Sequence, residues 1–266
     1  MPTALTIAGS DSGGGAGIQA DLKTFEALGV FGTSAVTAIT APNTVGVHAV
    51  HPVPVPIIVA QIEAVLDDLG VAAIKTGMLA SSEIVDAVAG VLADWHAGPL
   101  VVDPVMVSKS RHRLLTDDAV QTMVRRLLPL ATVITPNAPE AEALTGHPVR
   151  TEADAREAAR RLLDLGVRAV IVKGGHLDTA DIVDLLFEGD SVTEARGERH
   201  ATRHTHGTGC TFAAAIAAWL ARGQTLPEAF LRARRYLDGA IRHAPGLGHG
   251  AGPVAHFWQA DHPGPR

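Results

Sequence analysis

The sequence predicts an α/β fold of three layers, with a mostly parallel central sheet and helices on both faces. Short runs of Val, Ile, Leu and Ala alternate along the chain with longer segments of helical periodicity. The runs are continuously apolar, which is typical of strands buried on both faces. Because right-handed crossovers place helices above and below a parallel sheet, this alternation predicts an α/β/α sandwich.

Six apolar runs are expected to form the parallel strands, at residues 4–8, 33–40, 72–76, 100–105, 132–135 and 169–173. Two further runs, at residues 182–187 and 191–194, are separated by a turn-like Glu-Gly-Asp and predict a hairpin at one edge. Ligands of such sheets bind beyond the carboxyl ends of the strands, so polar residues that follow the strands are site candidates.

Helices are predicted by two apolar stripes with helical spacing, at residues 58–69 and 84–95. Three threonines that precede acidic residues indicate helix starts, and they are Thr116, Thr151 and Thr225. Thr151 with Asp154 and Thr225 with Glu228 have the spacing of capping boxes.

The chain is expected to form one domain over residues 1–258, followed by a frayed tail at 259–266. Its 266 residues are 47% hydrophobic, which suffices for a buried core. Its net charge of −6 excludes a cationic field for nucleic acid or an anionic membrane surface. A single cysteine, no basic-then-apolar leader and no membrane-length apolar run predict a cytoplasmic location.

The first candidate segment is glycine-rich and runs from residue 9 to residue 17, between a strand and a helix. Its glycines would let backbone N–H groups approach a ligand at the helix start. The spacing does not fit the dinucleotide fingerprint, because with Gly13 and Gly15 as its first two glycines the third would fall at Ile18. The Gly-Lys dipeptide of a P-loop does not occur in the sequence either. The alternative is a tight strand-to-helix turn without a ligand.

The second candidate segment, residues 205–211, opens an apolar and therefore buried helix. Gly207 and Gly209 at its start expose unpaired N–H groups, an arrangement that holds an anion. The helix start is expected to lower the pKa of Cys210 below its usual value of ~8.5, so that the thiolate serves as a base. An inert buried thiol is the alternative. His206 is expected to make a plain hydrogen bond, and orienting the glycine loop is its alternative role.

Four polar residues after predicted strands form the third candidate set, and they are Asp103, Asn137, Glu140 and Lys173. Carboxylates in the ligand crevice suit Mg²⁺, and a lysine suits a phosphate. Together with an anion-holding helix start, they predict phosphoryl transfer, which needs positioning and charge neutralisation. Each residue alone has a plainer alternative, as a turn former, a solvated helix start or a surface lysine.

These segments resemble the hydroxymethylpyrimidine/phosphomethylpyrimidine kinases of thiamine biosynthesis, in the ribokinase-like superfamily, from Leu5 to Phe257. The resembling stretches are LTIAGSD (5–11), GGAGIQADLKT (14–24), KTGMLA (75–80), DPVMV (103–107), TPN (135–137), KGGH (173–176), THGTGC (205–210) and GHGAGP (248–253). Related pyridoxal kinases share several of them.

The resemblance implies a ribokinase-like sandwich that uses ATP and Mg²⁺. It would phosphorylate 4-amino-5-hydroxymethyl-2-methylpyrimidine and then convert the monophosphate to the diphosphate, as a homodimer. The base and anion hole would be Cys210, Gly207, Thr208 and Gly209. The nucleotide phosphates would contact Lys173 and Asn137, with Asp103 and Glu140 organising Mg²⁺. The pyrimidine would contact Gly9, Asp21, Asn43 and Met78.

Three residues depart from the family pattern. Pro42 stands where these kinases usually carry a Gln that hydrogen-bonds the ring, so either Asn43 or a water replaces it or the preferred ring differs. Arg111 replaces a usual Gly in a flap at residues 108–114, and His204 replaces a usual Asn. The loops around residues 42–47 and 108–114 are expected to close during transfer.

Two alternatives stay open beside the pyrimidine kinase. One is a pyridoxal or pyridoxine kinase of the same superfamily, and the other is a pyrimidine-binding protein with little catalysis, which Pro42 and Arg111 favour. An NAD-linked oxidoreductase needs the dinucleotide fingerprint that the glycine spacing excludes.

Overall fold

The computed structural model describes residues 1–95, 98–106, 115–176 and 181–261. Its strands are β1 (Thr3–Asp11), β2 (Phe31–Pro42), β3 (Val47–Pro52), β4 (Ala73–Thr76), β5 (Leu100–Val102), β6 (Val133–Ile134), β7 (Val170–Val172), β8 (Ile182–Glu188) and β9 (Ser191–Gly197). They form one sheet in the order β3-β2-β1-β4-β5-β6-β7-β8-β9. From β2 to β7 in this order, neighbouring strands are parallel. At one edge β3 is antiparallel to β2, and at the other edge β8 is antiparallel to β7 and β9 is antiparallel to β8.

The six predicted parallel strands and the predicted edge hairpin are confirmed. The run at 100–105 forms a strand only to Val102, because Pro104 has no N–H for a ladder. Strand β3 was not predicted. Its residues are mostly exposed, so it lacks the continuous buried apolar run that marks the other strands.

The helices of the described residues are α1 (Gly17–Ala27), α2 (Val55–Asp68), α3 (Ser82–Trp95), α4 (Asp117–Thr122), α5 (Ala138–Thr145), α6 (Glu152–Asp164), α7 (Thr208–Ala221), α8 (Leu226–Arg242) and α9 (Trp258–Asp261). The two striped segments correspond to α2 and α3. The threonine starts are confirmed at α4, α6 and α8, with capping boxes at α6 and α8. None of these helices is both long and apolar enough to cross a membrane.

The two faces of the sheet are covered by different helices. Val101, Val133 and Ile171 pack in one apolar cluster with residues of α1, α7 and α8. The next residues of β5 and β6, Val102 and Ile134, pack in a second cluster with α2 to α6. This alternation along each strand gives three layers, so the predicted α/β/α sandwich is confirmed.

Helix α7 crosses the centre of one face and is buried from Thr211 to Ala218. Its direction brings its first residues to the carboxyl ends of the parallel strands, where the site lies. The domain boundary at residue 258 stays a prediction, and residues 262–266 of the expected tail lie outside the described residues.

Candidate active site

A cavity of about 660 Å³ opens at the carboxyl ends of the parallel strands. Residues that follow β1, β4, β5, β6 and β7 line this cavity together with the start of α7. Of the predicted site residues, those that line it are Gly9, Met78, Asp103, Asn137, Glu140, Lys173, Gly207, Thr208, Gly209 and Cys210. Asp21 and Asn43 do not.

The start of α7 presents backbone donors to this cavity. Gly207 is the N-cap residue with φ of 77°, and a Cβ there would overlap the carbonyl oxygen of Gly15. Within the described part of the chain no side chain caps this helix, so the first-turn N–H groups of Gly209 and Cys210 are left for a ligand. The positive end of a buried helix therefore faces the cavity.

The ammonium group of Lys173 lies beside this helix start. A Cβ at Gly209 would be 3.4 Å from Nζ of Lys173 and 3.8 Å from Oδ2 of Asp103. The Nζ atom itself is 3.1 Å from Oδ1 of Asp103 and 3.6 Å from Oε2 of Glu140. Burial disfavours the ammonium, but the two carboxylates outweigh it, so the pKa of Lys173 is raised and its charge is kept.

Asn137 and Glu140 hold each other in a capping box at the start of α5. Oδ1 of Asn137 accepts the N–H of Glu140 at 2.9 Å, and Oε2 of Glu140 accepts the N–H of Asn137 at 2.8 Å. Burial, opposed by the Lys173 ammonium and reinforced by the Asp103 carboxylate, raises the pKa of Glu140 to about 7. The carboxyl groups of Asp103 and Glu140 thus share one lysine ammonium, and a further cation would stabilise their charged forms.

The same carboxylates suit Mg²⁺. Oδ2 of Asp103 is buried without a hydrogen-bond partner in the part of the chain that the structure describes. Among those residues no group of three or more His, Cys, Asp or Glu side chains could hold a metal. Mg²⁺ does not need such a cage, because it keeps several waters and binds one or two carboxylates together with substrate phosphates. Asp103 and Glu140 therefore fit this cation.

A second cavity, of about 420 Å³, adjoins the first. Both are lined by Asn137, Lys173, Thr205, Thr208 and Gly209. The far side of the second cavity combines apolar side chains of α7 and α8 with polar ones, and these include Phe212, Leu237, Ile241, Arg199 and His200. Two ligands bound in the two cavities would meet at Lys173 and the start of α7.

The expected lowering of the Cys210 pKa is wrong. Burial raises the pKa of the thiol to about 12, and the Lys75 ammonium offsets only part of this effect, whereas the carboxylates of Asp21 and Asp103 add to it. The helix-start argument considered only the local dipole, and desolvation outweighs that dipole here. The half-buried Cys210 still lines the cavity, so its thiol is placed to contact a ligand in its protonated form.

Two of the residues expected to face the pyrimidine contact each other. Gly9 and Met78 both line the cavity, and a Cβ on Gly9 would be 2.6 Å from Cε of Met78. The expectation that Asp21 faces the pyrimidine is wrong, because its side chain is fully buried behind Lys75. Nζ of Lys75 donates to both Asp21 oxygens, at 3.0 and 2.8 Å, and the hydroxyl of Thr6 donates to Oδ2 at 2.6 Å. Asp21 therefore acts on the cavity through Lys75.

Lys75 was missed as an individual site residue. It is fully buried at the end of β4 and lines the cavity. Burial disfavours its charge, but Asp21, Cys210 and Asp103 more than compensate, so the pKa of Lys75 is raised. A lysine inside an apolar run of Val, Ala and Ile was the available signal, since a charge is rarely buried without a partner.

The expectation that Asn43 contacts the pyrimidine is also wrong. Its side chain is exposed, and its Oδ1 accepts the N–H groups of Val45 and Gly46 at 3.0 and 3.1 Å in the turn between β2 and β3. It is therefore not the group that replaces the missing Gln. Pro42 lines the cavity and brings no hydrogen-bonding side chain to it.

Three N–H groups of the glycine-rich segment are not offered to a ligand. The carboxylate of Asp11 takes them, through Oδ1 from Gly13 at 2.7 Å and through Oδ2 from Gly15 at 3.0 Å and Ala16 at 2.7 Å. The alternative of a tight turn is therefore the correct one for these three donors. Asp11 was not singled out in the sequence, although an acidic residue before glycines at a strand end is a known turn pattern.

His204 and Arg111 are the other two residues that depart from the family pattern. His204 is half-buried and packs next to the backbone of Gly252. Its Nδ1 has no hydrogen-bond partner among the described residues. Arg111 and the expected flap at 108–114 lie outside the described residues.

The chain is similar to known proteins along nearly its whole length. The sequence model of the family described as phosphomethylpyrimidine kinase matches residues 11–255. The hydroxymethylpyrimidine/phosphomethylpyrimidine kinase of Streptomyces coelicolor is 52% identical over 257 residues, which cover 97% of this chain and 95% of that protein. The thiamine biosynthesis bifunctional protein ThiED of Geobacter sulfurreducens is also 52% identical over 257 residues, and this chain spans about half of its length.

Solved structures agree with this result. The ADP complex of Bacillus subtilis pyridoxal kinase superposes with a TM-score of 0.92 at 41% sequence identity. The match covers 98% of this chain and 99% of that one.

Proposed function

The chain belongs to the phosphomethylpyrimidine kinase family and is a phosphotransferase, and on this basis we propose its substrates and the roles of its residues. It transfers the γ-phosphoryl group of ATP to the hydroxymethyl oxygen of 4-amino-5-hydroxymethyl-2-methylpyrimidine, and then a second phosphoryl group to the monophosphate. The observation that carries the proposal is the junction of two cavities at Lys173 and the uncapped start of α7.

The two cavities divide the substrates. The cavity of about 660 Å³ takes the ring, because Gly9, Pro42, Met78 and Met106 give it flat apolar walls next to Cys210. The cavity of about 420 Å³ takes the nucleotide, with its phosphates directed to Lys173 and Gly209. The ADP complex of the similar pyridoxal kinase supports a nucleotide on this fold.

The chemistry requires little covalent participation from the protein. A bond forms between the hydroxymethyl oxygen and the γ-phosphorus, and the bond from that phosphorus to the oxygen shared with the β-phosphate breaks. The Lys173 ammonium neutralises charge on the transferring group, and the N–H groups of Gly209 and Cys210 hold its oxygens. Because these donors are fixed before substrates bind, they need not reorganise during transfer.

Cys210 acts as a protonated contact to the acceptor hydroxyl. In a loose transition state the attacking hydroxyl loses its proton late, so a preformed thiolate is not needed, and the proton passes to an oxygen of the transferred phosphoryl group and from there to solvent. Asp103 and Glu140 would hold Mg²⁺, which when bound neutralises phosphate charge. The burial of Asp103 and Glu140 also keeps bulk water from this end of the cavity.

One observation favours a second substrate. Pro42 leaves the ring cavity without a side-chain amide at the point where the family pattern has Gln, and Asn43 does not supply one. A pyridoxal or pyridoxine ring, which also carries a hydroxymethyl group, is therefore the alternative acceptor.

The test is ADP release by the purified chain with MgATP and each acceptor, combined with mass spectrometry of the products. We expect Mg²⁺-dependent turnover with hydroxymethylpyrimidine, followed by formation of the diphosphate. Faster turnover with pyridoxal than with either pyrimidine would identify the chain as a pyridoxal kinase instead. A folded sample that releases no ADP with any of these acceptors would refute the proposal.

A cytoplasmic homodimer is the remaining part of the proposal. The free thiol of Cys210 suits a reducing compartment, in which ATP is also available. The exposed Ile39 and Val50 lie on β2 and β3 at one edge of the sheet, which suits contact with a second copy. Light scattering should give twice the 27.6 kDa chain mass, and a monomer at micromolar concentration would contradict the dimer.

A further inference from the structure

The carboxylate of Asp11 joins two segments that are far apart in the sequence. Its Oδ1 and Oδ2 accept the N–H groups of Gly13, Gly15 and Ala16, and Oδ2 is also 2.9 Å from Nε2 of His206. Asp11 is only 4% exposed. With four donors around two oxygens, this carboxylate has one orientation, and the imidazole is bound to it.

His206 is fixed on its other sides as well. Its backbone N–H donates to the carbonyl oxygen of Gly252 at 3.0 Å, and the residue forms a parallel bridge with Pro253. A Cβ on Gly15 would be 2.7 Å from Cδ2 of the ring, so the ring packs directly on the glycine loop. The loop, the imidazole and the C-terminal segment therefore pack as one unit.

This unit ends at the N-cap of α7. Gly207 follows His206 directly, and it packs so closely on the carbonyl of Gly15 that no side chain fits between them. The position of Gly207 determines where the N–H groups of Gly209 and Cys210 point. A shift of about 1 Å in such donors is enough to cost about 100-fold in rate.

We propose that Asp11 and His206 are positioning residues for phosphoryl transfer. The N–H groups of the glycine-rich loop fix the orientation of the Asp11 carboxylate, this carboxylate fixes the His206 ring, and His206 fixes the position of the first residues of α7. The inference rests on the proposed function for its effect on turnover. The lowered pKa of Asp11 is consistent with it, because the His206 contact and the N–H groups of Ala16 and Gly13 outweigh burial.

The first test needs no turnover. Cys210 is the single cysteine and lies in the first turn of α7, so its alkylation rate by iodoacetamide reports the geometry of that turn. Asp11→Asn and His206→Ala should each change this rate by about threefold or more. His206→Gln, whose amide can donate to Asp11, should keep the wild-type rate. Equal rates in wild type, Asp11→Asn and His206→Ala would overturn the inference even if the chain proved not to be a kinase.

The second test is a double-mutant cycle on steady-state kinetics. We expect Asp11→Asn and His206→Ala each to lower kcat at least about tenfold, with KM for ATP and acceptor changed much less, and the double variant to be no worse than the poorer single variant. The matched control is Asp154→Asn, which removes a carboxylate that accepts the N–H groups of Arg150 and Thr151 at the start of α6.

Each result of this cycle is decisive. Losses that multiply in the double variant, or a raised KM at unchanged kcat, would overturn the positioning role. A fall in activity equal to that of Asp154→Asn would show that Asp11 acts only through general stability. A wild-type chain without turnover would refute the proposed function instead, and the alkylation rates would still decide the inference.

Discussion

Nζ of Lys173 lies 3.1 Å from Oδ1 of Asp103, and both side chains pack against Gly209 at the start of α7. Lys173 directly follows β7, Asp103 directly follows β5 and Gly209 lies in α7, so the sheet and one buried helix create this contact. It places at one point a positive charge together with a carboxylate oxygen and N–H groups that have no partner among the residues the structure describes. Such a point suits a phosphoryl group in transfer between two ligands.

Removing the charge of Lys173 should lower turnover in the fraction of the variant that urea denaturation shows to be folded. Lys173→Met keeps the aliphatic length but leaves Asp103 and Glu140 without their cation, and we expect kcat to fall about 100-fold. Steady-state ADP release measures this. Arg126→Met, which breaks an exposed ion pair with Asp86, is the control and should leave kcat unchanged. Equal rates for both variants would contradict the role of Lys173.

The thiol of Cys210 should react slowly at neutral pH. Because its pKa is raised to about 12, the thiolate fraction, and with it the alkylation rate, should rise about tenfold for each pH unit between pH 7 and 10. The rate of iodoacetamide labelling, followed by mass spectrometry, measures this directly. A plateau below pH 9 would mean that the helix start has lowered the pKa after all.

The buried pair of Lys75 and Asp21 should be important for folding stability. Lys75→Met leaves a fully buried carboxylate without its partner, which should reduce the free energy of unfolding by about 3–5 kcal/mol. Urea denaturation measures the loss, and Asp21→Leu in the same chain should restore much of it. A loss below about 1 kcal/mol, as expected for the exposed pair of Arg126 and Asp86, would contradict this assignment.

Pro42 should affect the choice of ring. Pro42→Gln adds an amide to the ring cavity, and we expect kcat/KM for hydroxymethylpyrimidine to rise about tenfold relative to pyridoxal. Ala41→Gln adds the same group at the neighbouring position of β2 and is the control, because Ala41 is exposed and does not line the cavity. An equal change in both variants would show that Pro42 does not select the ring.

The sequence predicted what depends on local periodicity and on strand ends. The parallel strands have continuous apolar runs, so they were recognised, and the polar residues after them converge as a parallel sheet requires. Strand β3 lacks such a run, because it is an exposed edge strand. The capping boxes at Thr151 and Thr225 depend on residues three positions apart and were also predicted.

Contacts between distant residues were not predictable in the same way. Asp11 meets His206 across 195 positions, and Asp21 meets Lys75 across 54, and no spacing rule connects such pairs. The pKa of Cys210 was misjudged for the same reason, since the burial that raises it comes from tertiary packing. The N–H groups of Gly13, Gly15 and Ala16 looked available to a ligand because their internal partner, Asp11, was not evident.

The most direct test of the central claim is the turnover of Gly209→Ala. Its Cβ would be 3.4 Å from Nζ of Lys173, in the space proposed for the transferring phosphoryl group, and this ordinary van der Waals distance allows the fold to form. Gly90→Ala in α3, where an added Cβ meets nothing within 4 Å, is the matched control. We expect kcat to fall about 100-fold in Gly209→Ala and not in Gly90→Ala. Wild-type turnover in Gly209→Ala would contradict it.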